Sequence, residues 1–286
     1  MEAGGSSDST ARAAVLEAAR TGAYDRYAAA LLAPRTARDA LMALAAFEAE
    51  LARIAPATRR EPRMGEIRLQ WWREALEAEA PPSGHPVADA VKAAARTHAW
   101  PIESLVDIID SHAHDGLADA FLDDQELLAT LELGEATLFR LGARACGRAA
   151  GESLDRLAAS AGVAYGLARR IGVLPQLVAQ GHLPLPASRI SAAGLDPAHI
   201  LAGDATGLTG VLVDLADLAR DRHASARRDL VALPRKFRSA FLPLALVEPY
   251  LDAGVRPGHD ALRRPQELAH FSRLLRLVRG HFTGRL

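Results

Sequence analysis

Residues 31–51 read LLAPRTARDALMALAAFEAEL, and this stretch decides the fold of the chain. Apolar side chains recur here at i, i+3, i+7 and i+10, which is the spacing of one helix face. The side chains on this face are Leu44, Phe47, Leu51 and Ile54. Thr36 is placed to cap the start of the helix, and Pro56 is placed to end it. The stretch therefore predicts a long helix with one buried face.

Helical spacing recurs along nearly the whole chain. It predicts further helices over residues 65–79, 86–98, 101–119, 124–149, 153–178, 205–229, 234–252 and 259–282. In the first of these, two neighbouring apolar stripes predict burial on more than one side. The stripes consist of Leu69, Trp72 and Leu76, and of Ile67, Trp71 and Ala75.

The segments between these helices contain no alternating strand pattern and no internal repeat. Residues 183–197 carry Pro184, Pro186 and Pro197, which predicts an extended connector. We therefore predict an all-α fold with a single domain over residues 21–286. Residues 1–20 are expected to be a disordered lead-in, because residues 1–10 are small and polar and lack the regions of a signal peptide.

The composition supports a large core and excludes several functional classes. Of the 286 residues, 49% are hydrophobic, and the net charge of −1 gives no signal for nucleic-acid binding. The single cysteine, Cys146, excludes an internal disulfide and is expected to be a buried thiol. The longest apolar run, residues 240–247, falls far short of the roughly 20 residues of a membrane span. We therefore expect a cytoplasmic protein.

Three further fragments follow the first helix in a characteristic order. They are Trp72-Arg73-Glu74-Ala75-Leu76, His85-Pro86-Val87 and Gly181-His182-Leu183-Pro184-Leu185-Pro186. With residues 31–47, their order and spacing resemble the squalene/phytoene synthase family over about residues 24–250. The resemblance implies an isoprenoid synthase-type helical bundle around a central cavity. It also implies the family's reaction, in which Mg²⁺ held by two Asp-rich motifs helps to join two prenyl diphosphates.

The chain departs from the family at both Asp-rich motifs. Ala52 and Arg53 stand at the first motif, and Val173 and Leu177 stand at the second. None of these side chains is an oxygen ligand for Mg²⁺. Four other positions differ. Gly166 and Arg169 stand where the family has Gln and Asn, and His182 and Pro184 stand where it has Arg and Tyr.

The leading hypothesis is therefore a non-catalytic protein without a cofactor. The order Phe47-Glu48-Ala49-Glu50-Leu51 followed by the Trp72 helix resembles the subfamily that lacks the Asp motifs and includes a mitochondrial complex I assembly factor. This resemblance implies a protein partner, such as a subunit of a respiratory complex. The Ala-rich and Arg-rich composition points to a bacterial relative.

A second hypothesis keeps a prenyl-diphosphate or lipid ligand. Arginines can bind a diphosphate through paired hydrogen bonds without a metal, and the candidates are Arg38, Arg169 and Arg170. Aromatic side chains could line a tunnel for the prenyl chain, and the candidates are Phe47, Trp71 and Trp72. The structural alternative is that Arg38 ties neighbouring helices together and that the aromatic residues form ordinary core.

A third hypothesis is an active prenyltransferase with a relocated Mg²⁺ site. Asp110 and Asp115 lie in a stretch rich in Asp and His, and Asp214, Asp217 and Asp221 share one helix face. The alternative for both groups is a solvated helix face paired with arginines, as is common at protein surfaces.

The C-terminal segment 265–282 predicts a basic amphipathic helix. Its apolar stripe consists of Leu268, Phe271, Leu275, Val278 and Phe282, and Arg273, Arg276 and Arg279 follow the other side. We expect the stripe to pack onto the domain. The alternative is contact with an anionic membrane or a partner, which would place the protein at the periphery of the inner membrane.

Overall fold

The computed structural model describes residues 3–54, 61–78, 82–113, 121–147, 149–255, 262 and 268–286. All regular structure within these ranges is helical, as the all-α prediction requires. The α-helices are α1 (Ala3–Gly22), α2 (Tyr24–Leu31), α3 (Arg35–Ala52), α4 (Pro62–Glu77), α5 (Pro86–His98), α6 (Ile102–Ala113), α7 (Asp124–Leu131), α8 (Thr137–Ala145), α9 (Glu152–Ala179), α10 (Ala187–Ala192), α11 (Pro197–Leu201), α12 (Leu208–Val231), α13 (Arg235–Arg238), α14 (Val247–Gly254) and α15 (His270–Thr283).

Two hydrophobic cores hold these helices together. The first core joins α1, α3, α4, α5 and α6, with Phe47 and Trp72 packed edge to face at its centre. The second core surrounds α9, the longest helix, which packs against α12 and α14. A central cavity lies where α3 and α6 approach α9.

The helix predicted from residues 31–51 is confirmed as α3. The four side chains of its predicted face, Leu44, Phe47, Leu51 and Ile54, are all buried. The capping role of Thr36 is wrong, because the helix begins at Arg35 with Pro34 at the N-cap. Pro34 fixes its own φ and adopts an extended ψ, so the helix starts directly after it and Thr36 lies inside the first turn.

The expected disordered lead-in over residues 1–20 is wrong for the part that the structure describes. Residues from Ala3 onward form α1, which buries Val15, Ala18 and Ala19 against the first core. Small side chains allow this close packing: a Cβ on Gly22 would lie 2.5 Å from the Cβ of Ala49. The Ala-rich face of α1 therefore packs against the first core.

Three further segments differ from their predictions. The predicted connector 183–197 contains the short helix α10. The predicted helix 124–149 is interrupted by a π-helical turn at Glu132–Ala136, and the predicted helix 234–252 contains a 3₁₀ segment at Ser239–Leu246. Pro243 lies within that 3₁₀ segment and cannot donate to an α-helical ladder.

Burial of α4 on two sides is also wrong. The stripe of Leu69, Trp72 and Leu76 is buried. Of the second stripe only Ala75 is buried, since Ile67 is 60% exposed and Trp71 is 39% exposed. The helix therefore packs through one face. Among the described residues, no helix has the length and apolar character needed to cross a bilayer.

Candidate functional site

The central cavity has a volume of about 350 Å³ and lies between α3, α6, α7, the π turn and α9. It is lined by Glu48, Ala52, Ser111, His112, Thr130, Leu131, Gly134, Glu135, Leu138, Gly166, Arg169, Arg170, Val173, Gln176, Leu177, Gln180 and His182. A larger cleft of about 830 Å³ lies beside α5, where the ammonium of Lys92 donates to the carbonyl of Ala78 at 2.6 Å. The central cavity is the stronger candidate, because charged side chains from three separate segments converge there.

Glu48 of α3 is the centre of this convergence. Its Oε2 lies 2.7 Å from Nε of Arg26, and its Oε1 accepts a hydrogen bond from Nη1 of Arg169. Nη2 of Arg26 also donates to Glu135 at 2.5 Å, and Nη1 of Arg169 lies 3.5 Å from the same carboxylate. Two carboxylates and two guanidiniums therefore form one closed network, with Arg26 and Glu48 almost completely buried.

A second arm of the network is built around Asp25 of α2. Its carboxylate accepts hydrogen bonds from the hydroxyls of Tyr165 at 2.9 Å and Tyr250 at 2.7 Å. Nη1 of Arg273 donates to the other oxygen of Asp25 at 3.1 Å. This arm ties α2, α9, α14 and α15 to one carboxylate. The Arg26 guanidinium connects the arms, because it stacks 5.4 Å from the Tyr165 ring centre.

Close backbone packing places Glu135 at the cavity. A Cβ on Gly162 would lie 2.6 Å from Cα of Ala136, so only glycine allows α9 to approach the π turn this closely. A Cβ on Gly166 would lie 2.5 Å from Cδ2 of Leu131. Because a π turn inserts one extra residue into the helix, it changes the direction of the side chains beside it, and such turns are frequent at functional sites.

The pKa shifts follow from burial and from these ion pairs. Burial would raise the pKa of Glu48, but the guanidiniums of Arg169 and Arg26 outweigh it and hold that pKa below its usual value. Burial alone would lower the pKa of Arg169, but the negative charge of Glu48 opposes this effect, and the pKa lies well above its usual value. Burial and the neighbouring Asp25 raise the pKa of Tyr165. All these groups therefore keep their neutral-pH charge states.

Comparisons with known proteins place this architecture. A family model described as squalene/phytoene synthase matches residues 19–274. The chain belongs to the squalene/phytoene synthase family. A curated relative, "NADH dehydrogenase (ubiquinone) complex I, assembly factor 6" of Bos taurus, is 28% identical over 240 residues, which is 82% of this chain and 71% of the relative.

Two solved structures share the fold at low sequence identity. Squalene synthase HpnC from Alicyclobacillus acidocaldarius superposes with a TM-score of 0.70 at 18% identity, over 85% of this chain and 92% of that one. A dehydrosqualene synthase in complex with a ligand superposes with a TM-score of 0.76 at 14% identity, over 98% and 99% of the two chains. The predicted isoprenoid synthase-type bundle is thus confirmed.

The structure brings together the positions that the motif resemblance predicts to differ from the family. The central cavity is lined by one of these positions on α3, Ala52. It is also lined by four on α9, which are Gly166, Arg169, Val173 and Leu177. Residues more than a hundred positions apart in the chain therefore share one wall. α3 and α9 therefore both contribute to the lining of the cavity.

The candidate ligand residues divide into two groups. Arg169 and Arg170 line the cavity, where Arg169 is bound to Glu48 and Arg170 stacks 5.3 Å from the Phe121 ring centre. The residues described as lining the cavity do not include the other four candidates, Arg38, Phe47, Trp71 and Trp72.

These four side chains lie within or beside the first core. Nη2 of Arg38 donates to the carbonyl of Ala33 at 3.2 Å, so it links α3 to the end of α2. Phe47 and Trp72 are buried in edge-to-face contact at 5.2 Å, and Trp71 is partly exposed beside Trp72. The aromatic residues belong to the core and its surface rather than to the described wall of the cavity.

The candidate metal ligands are not brought together by the structure. Asp110 is paired with Arg73, Asp217 with Arg220 at 3.0 Å, and Asp214 lies 3.8 Å from Arg189. Asp115 lies outside the described residues. Within the described ranges, no group of three or more His, Cys, Asp or Glu side chains is arranged to hold a metal ion.

Sequence reasoning missed three charged residues of the site, which are the buried Glu48 and Arg26 and their partner Glu135. A local signal was present for Glu48. Its neighbours three and four positions away on α3 are all apolar, namely Leu44, Ala45, Leu51 and Ala52. An isolated carboxylate on an apolar helix face costs too much free energy to bury alone, so such a pattern indicates a buried cationic partner.

Proposed function

We propose that this protein is a non-catalytic member of the squalene/phytoene synthase family that acts by binding protein, as an assembly factor for a respiratory NADH dehydrogenase complex. The observation that carries the proposal is the ion network at the cavity. Among the described residues, the two carboxylates that line the cavity, Glu48 and Glu135, are already bound to Arg26 and Arg169.

The network does not fit the Mg²⁺ ions that the family's chemistry implies. Mg²⁺ prefers free carboxylate oxygens in octahedral geometry, and it neutralises a diphosphate leaving group when bound. Here the two guanidiniums occupy the carboxylates and add positive charge beside them. A divalent cation at this position would have to displace buried ion pairs. We therefore derive no ionisation step at this cavity.

The remaining wall supports the same conclusion. The cavity positions matched to the Asp-rich motifs are Ala52, Val173 and Leu177, none of which can coordinate a cation. The other acidic candidates, Asp110, Asp214 and Asp217, lie beside arginines away from this wall. The family's two facing carboxylate clusters thus have no counterpart among the described residues of the cavity.

The specific role rests on the bovine relative. That protein's name states that it is an assembly factor of complex I, and the similarity covers 82% of this chain. A protein of this kind needs a stable scaffold and a binding surface rather than a reactive metal centre. The arginine–carboxylate network provides rigidity at the place where a synthase would hold its substrate.

A second candidate function is the binding of a prenyl diphosphate or a related lipid without turnover. It is favoured by Arg169 and Arg170 at a cavity of about 350 Å³, near the lower limit of small-molecule pockets. Arg169 is engaged by Glu48, so a diphosphate would have to compete with a buried carboxylate. The Arg170 guanidinium stacks 5.3 Å from the Phe121 ring centre.

The deciding experiment is calorimetric titration of the protein with farnesyl diphosphate, with and without Mg²⁺. We expect no Mg²⁺-dependent binding and no squalene or dehydrosqualene product. Binding without Mg²⁺ would favour the second candidate if it is lost in Arg170→Gln. The control variant Arg156→Gln, on the exposed surface of α9, should then keep this binding. Mg²⁺-dependent binding with product formation would overturn the proposal.

The assembly role is tested by deleting the gene in its source organism. We expect less fully assembled NADH dehydrogenase on native gels, with subassemblies accumulating, and rescue by the wild-type gene. Rescue should also occur with Arg170→Gln if the cavity ligand is irrelevant. Unchanged amounts of the assembled complex in the deletion strain would contradict the assembly role.

A further inference from the structure

The C-terminal helix α15 presents apolar side chains to solvent rather than to the domain. Phe271 is 76% exposed, Leu275 is 58% exposed and Phe282 is 72% exposed in the part of the chain that the structure describes. Their spacing of i, i+4 and i+11 places them on one helix face. The expectation that the stripe packs onto the domain is wrong for these three side chains, whereas Leu268 of the same stripe packs against the second core. We call Phe271, Leu275 and Phe282 the C-terminal outer face.

The opposite side of α15 is fixed to the domain by three contacts. Arg273 donates to buried Asp25 at 3.1 Å, and Leu277 is fully buried in the second core. A Cβ on Gly280 would lie 3.3 Å from the Cβ of Ala245, so the helix backbone lies directly against the 3₁₀ segment. Because these contacts define the inner side, α15 cannot rotate to bury Phe271 and Phe282 without breaking the Asp25 ion pair.

The charges beside the outer face are positive. The sequence of α15 contains no Asp or Glu, and Arg276 and Arg279 are exposed on one flank of the apolar stripe. A second basic segment lies near the end of the helix: a Cβ on Gly284 would lie 2.8 Å from Nη1 of Arg238. Residues 227–238 carry five Lys or Arg and a single acid, Asp229, and they also expose Val231 to 77%.

We propose that the C-terminal outer face binds the surface of an anionic lipid bilayer. Exposed aromatic and aliphatic side chains bordered by arginines are the features by which amphipathic helices lie in the headgroup region. The 14 residues of α15 span about 21 Å, which is too short to cross the hydrocarbon core. The positive charge of both segments complements anionic headgroups and disfavours a basic protein partner.

The proposal is tested by sedimenting the full chain with vesicles. We expect binding to phosphatidylcholine–phosphatidylglycerol vesicles, little binding to phosphatidylcholine alone, and weaker binding at high salt. The double variant Phe271→Ser/Phe282→Ser and the charge reversal Arg276→Glu/Arg279→Glu should each weaken partition at least about tenfold. The matched controls are Ile67→Ser on the exposed side of α4 and Arg156→Glu on α9.

Circular dichroism should show that all variants keep the wild-type thermal midpoint, because the altered side chains are exposed. If the serine variant does not fold, the charge reversal still decides the question. Equal binding to both kinds of vesicle, or equal binding by the variants and their controls, would overturn the proposal. The proposal would also be overturned if the protein did not bind vesicles but formed a concentration-dependent dimer that Phe271→Ser/Phe282→Ser abolishes. In that case the C-terminal outer face would bind a second copy of the chain.

Discussion

Nε of Arg26 lies 2.7 Å from Oε2 of Glu48 at the centre of the bundle, and both side chains are less than one tenth exposed. This pair belongs to a network of three carboxylates and three guanidiniums, so the buried charges balance. Its members are Asp25, Glu48, Glu135, Arg26, Arg169 and Arg273. Desolvation offsets much of the attraction in such networks, but loss of a single partner leaves an uncompensated buried charge.

Replacing Glu48 with Gln should therefore be strongly destabilising. We expect the free energy of unfolding to fall by about 3–5 kcal/mol, because Arg26 and Arg169 would both lose their shared carboxylate. Urea unfolding followed by circular dichroism measures this change. The matched control is Glu50→Gln on the same helix, where the partner Arg53 is exposed and the expected cost is below about 1 kcal/mol. Equal costs for the two variants would contradict the prediction.

The close approach of α9 to the π turn predicts opposite effects for two glycines. Gly162→Ala would drive a methyl group into the Ala136 backbone, and we expect a loss of at least about 1–3 kcal/mol. Gly210→Ala, in the exposed first turns of α12, meets no atom within 4 Å and should stabilise by about 0.4–1 kcal/mol. Thermal unfolding of the two variants should shift the midpoint in opposite directions, and a shift in the same direction would count against this account.

The Asp25–Arg273 ion pair should control the docking of α15. Arg273→Met removes the charge that links this helix to α2. We therefore expect amide hydrogen exchange in residues 270–283 to be faster than in the wild type, with a smaller change in α9 and α12. Arg276→Met, on the exposed flank of the same helix, is the control and should leave exchange unchanged. If both variants exchange alike, packing of Leu277 alone holds the helix.

Buried His223 predicts a loss of stability in mild acid. Burial lowers its pKa, although Glu248 at 3.4 Å from Nδ1 opposes the shift and Arg227 adds to it. Below pH about 6.5 the unfolded chain binds a proton that the folded chain does not, so the free energy of unfolding falls as the pH drops through this range. His223→Gln should reduce the slope between pH about 7.5 and 5.5, measured by urea unfolding.

The control for this pH dependence is His199→Gln, because His199 is exposed on α11. The low pKa of Glu48 acts in the same direction at more acidic pH, since its stabilising charge is lost as pH falls below the usual range for a glutamate. An unchanged slope in His223→Gln would show that other groups cause the acid sensitivity.

The sequence by itself determined the helical class and much of the organisation of the bundle. Apolar spacing predicted α3 and its buried face, and the ordered fragments predicted the family. Local patterns suffice for these features, because the spacing of apolar residues and the order of motifs can be observed directly in the sequence. The same reasoning named six candidate ligand residues, of which Arg169 and Arg170 line the cavity.

Only the tertiary structure decided which charges meet and which apolar faces are covered. Glu48 is separated from Arg169 by 121 residues and from Arg26 by 22, so no local pattern specifies that they share one site. In α15, the apolar stripe faces outward because Arg273, Leu277 and Gly280 make the closer fit to the domain. Helical period shows that a stripe exists, whereas complementary charge and shape across the fold decide which side of the helix is buried.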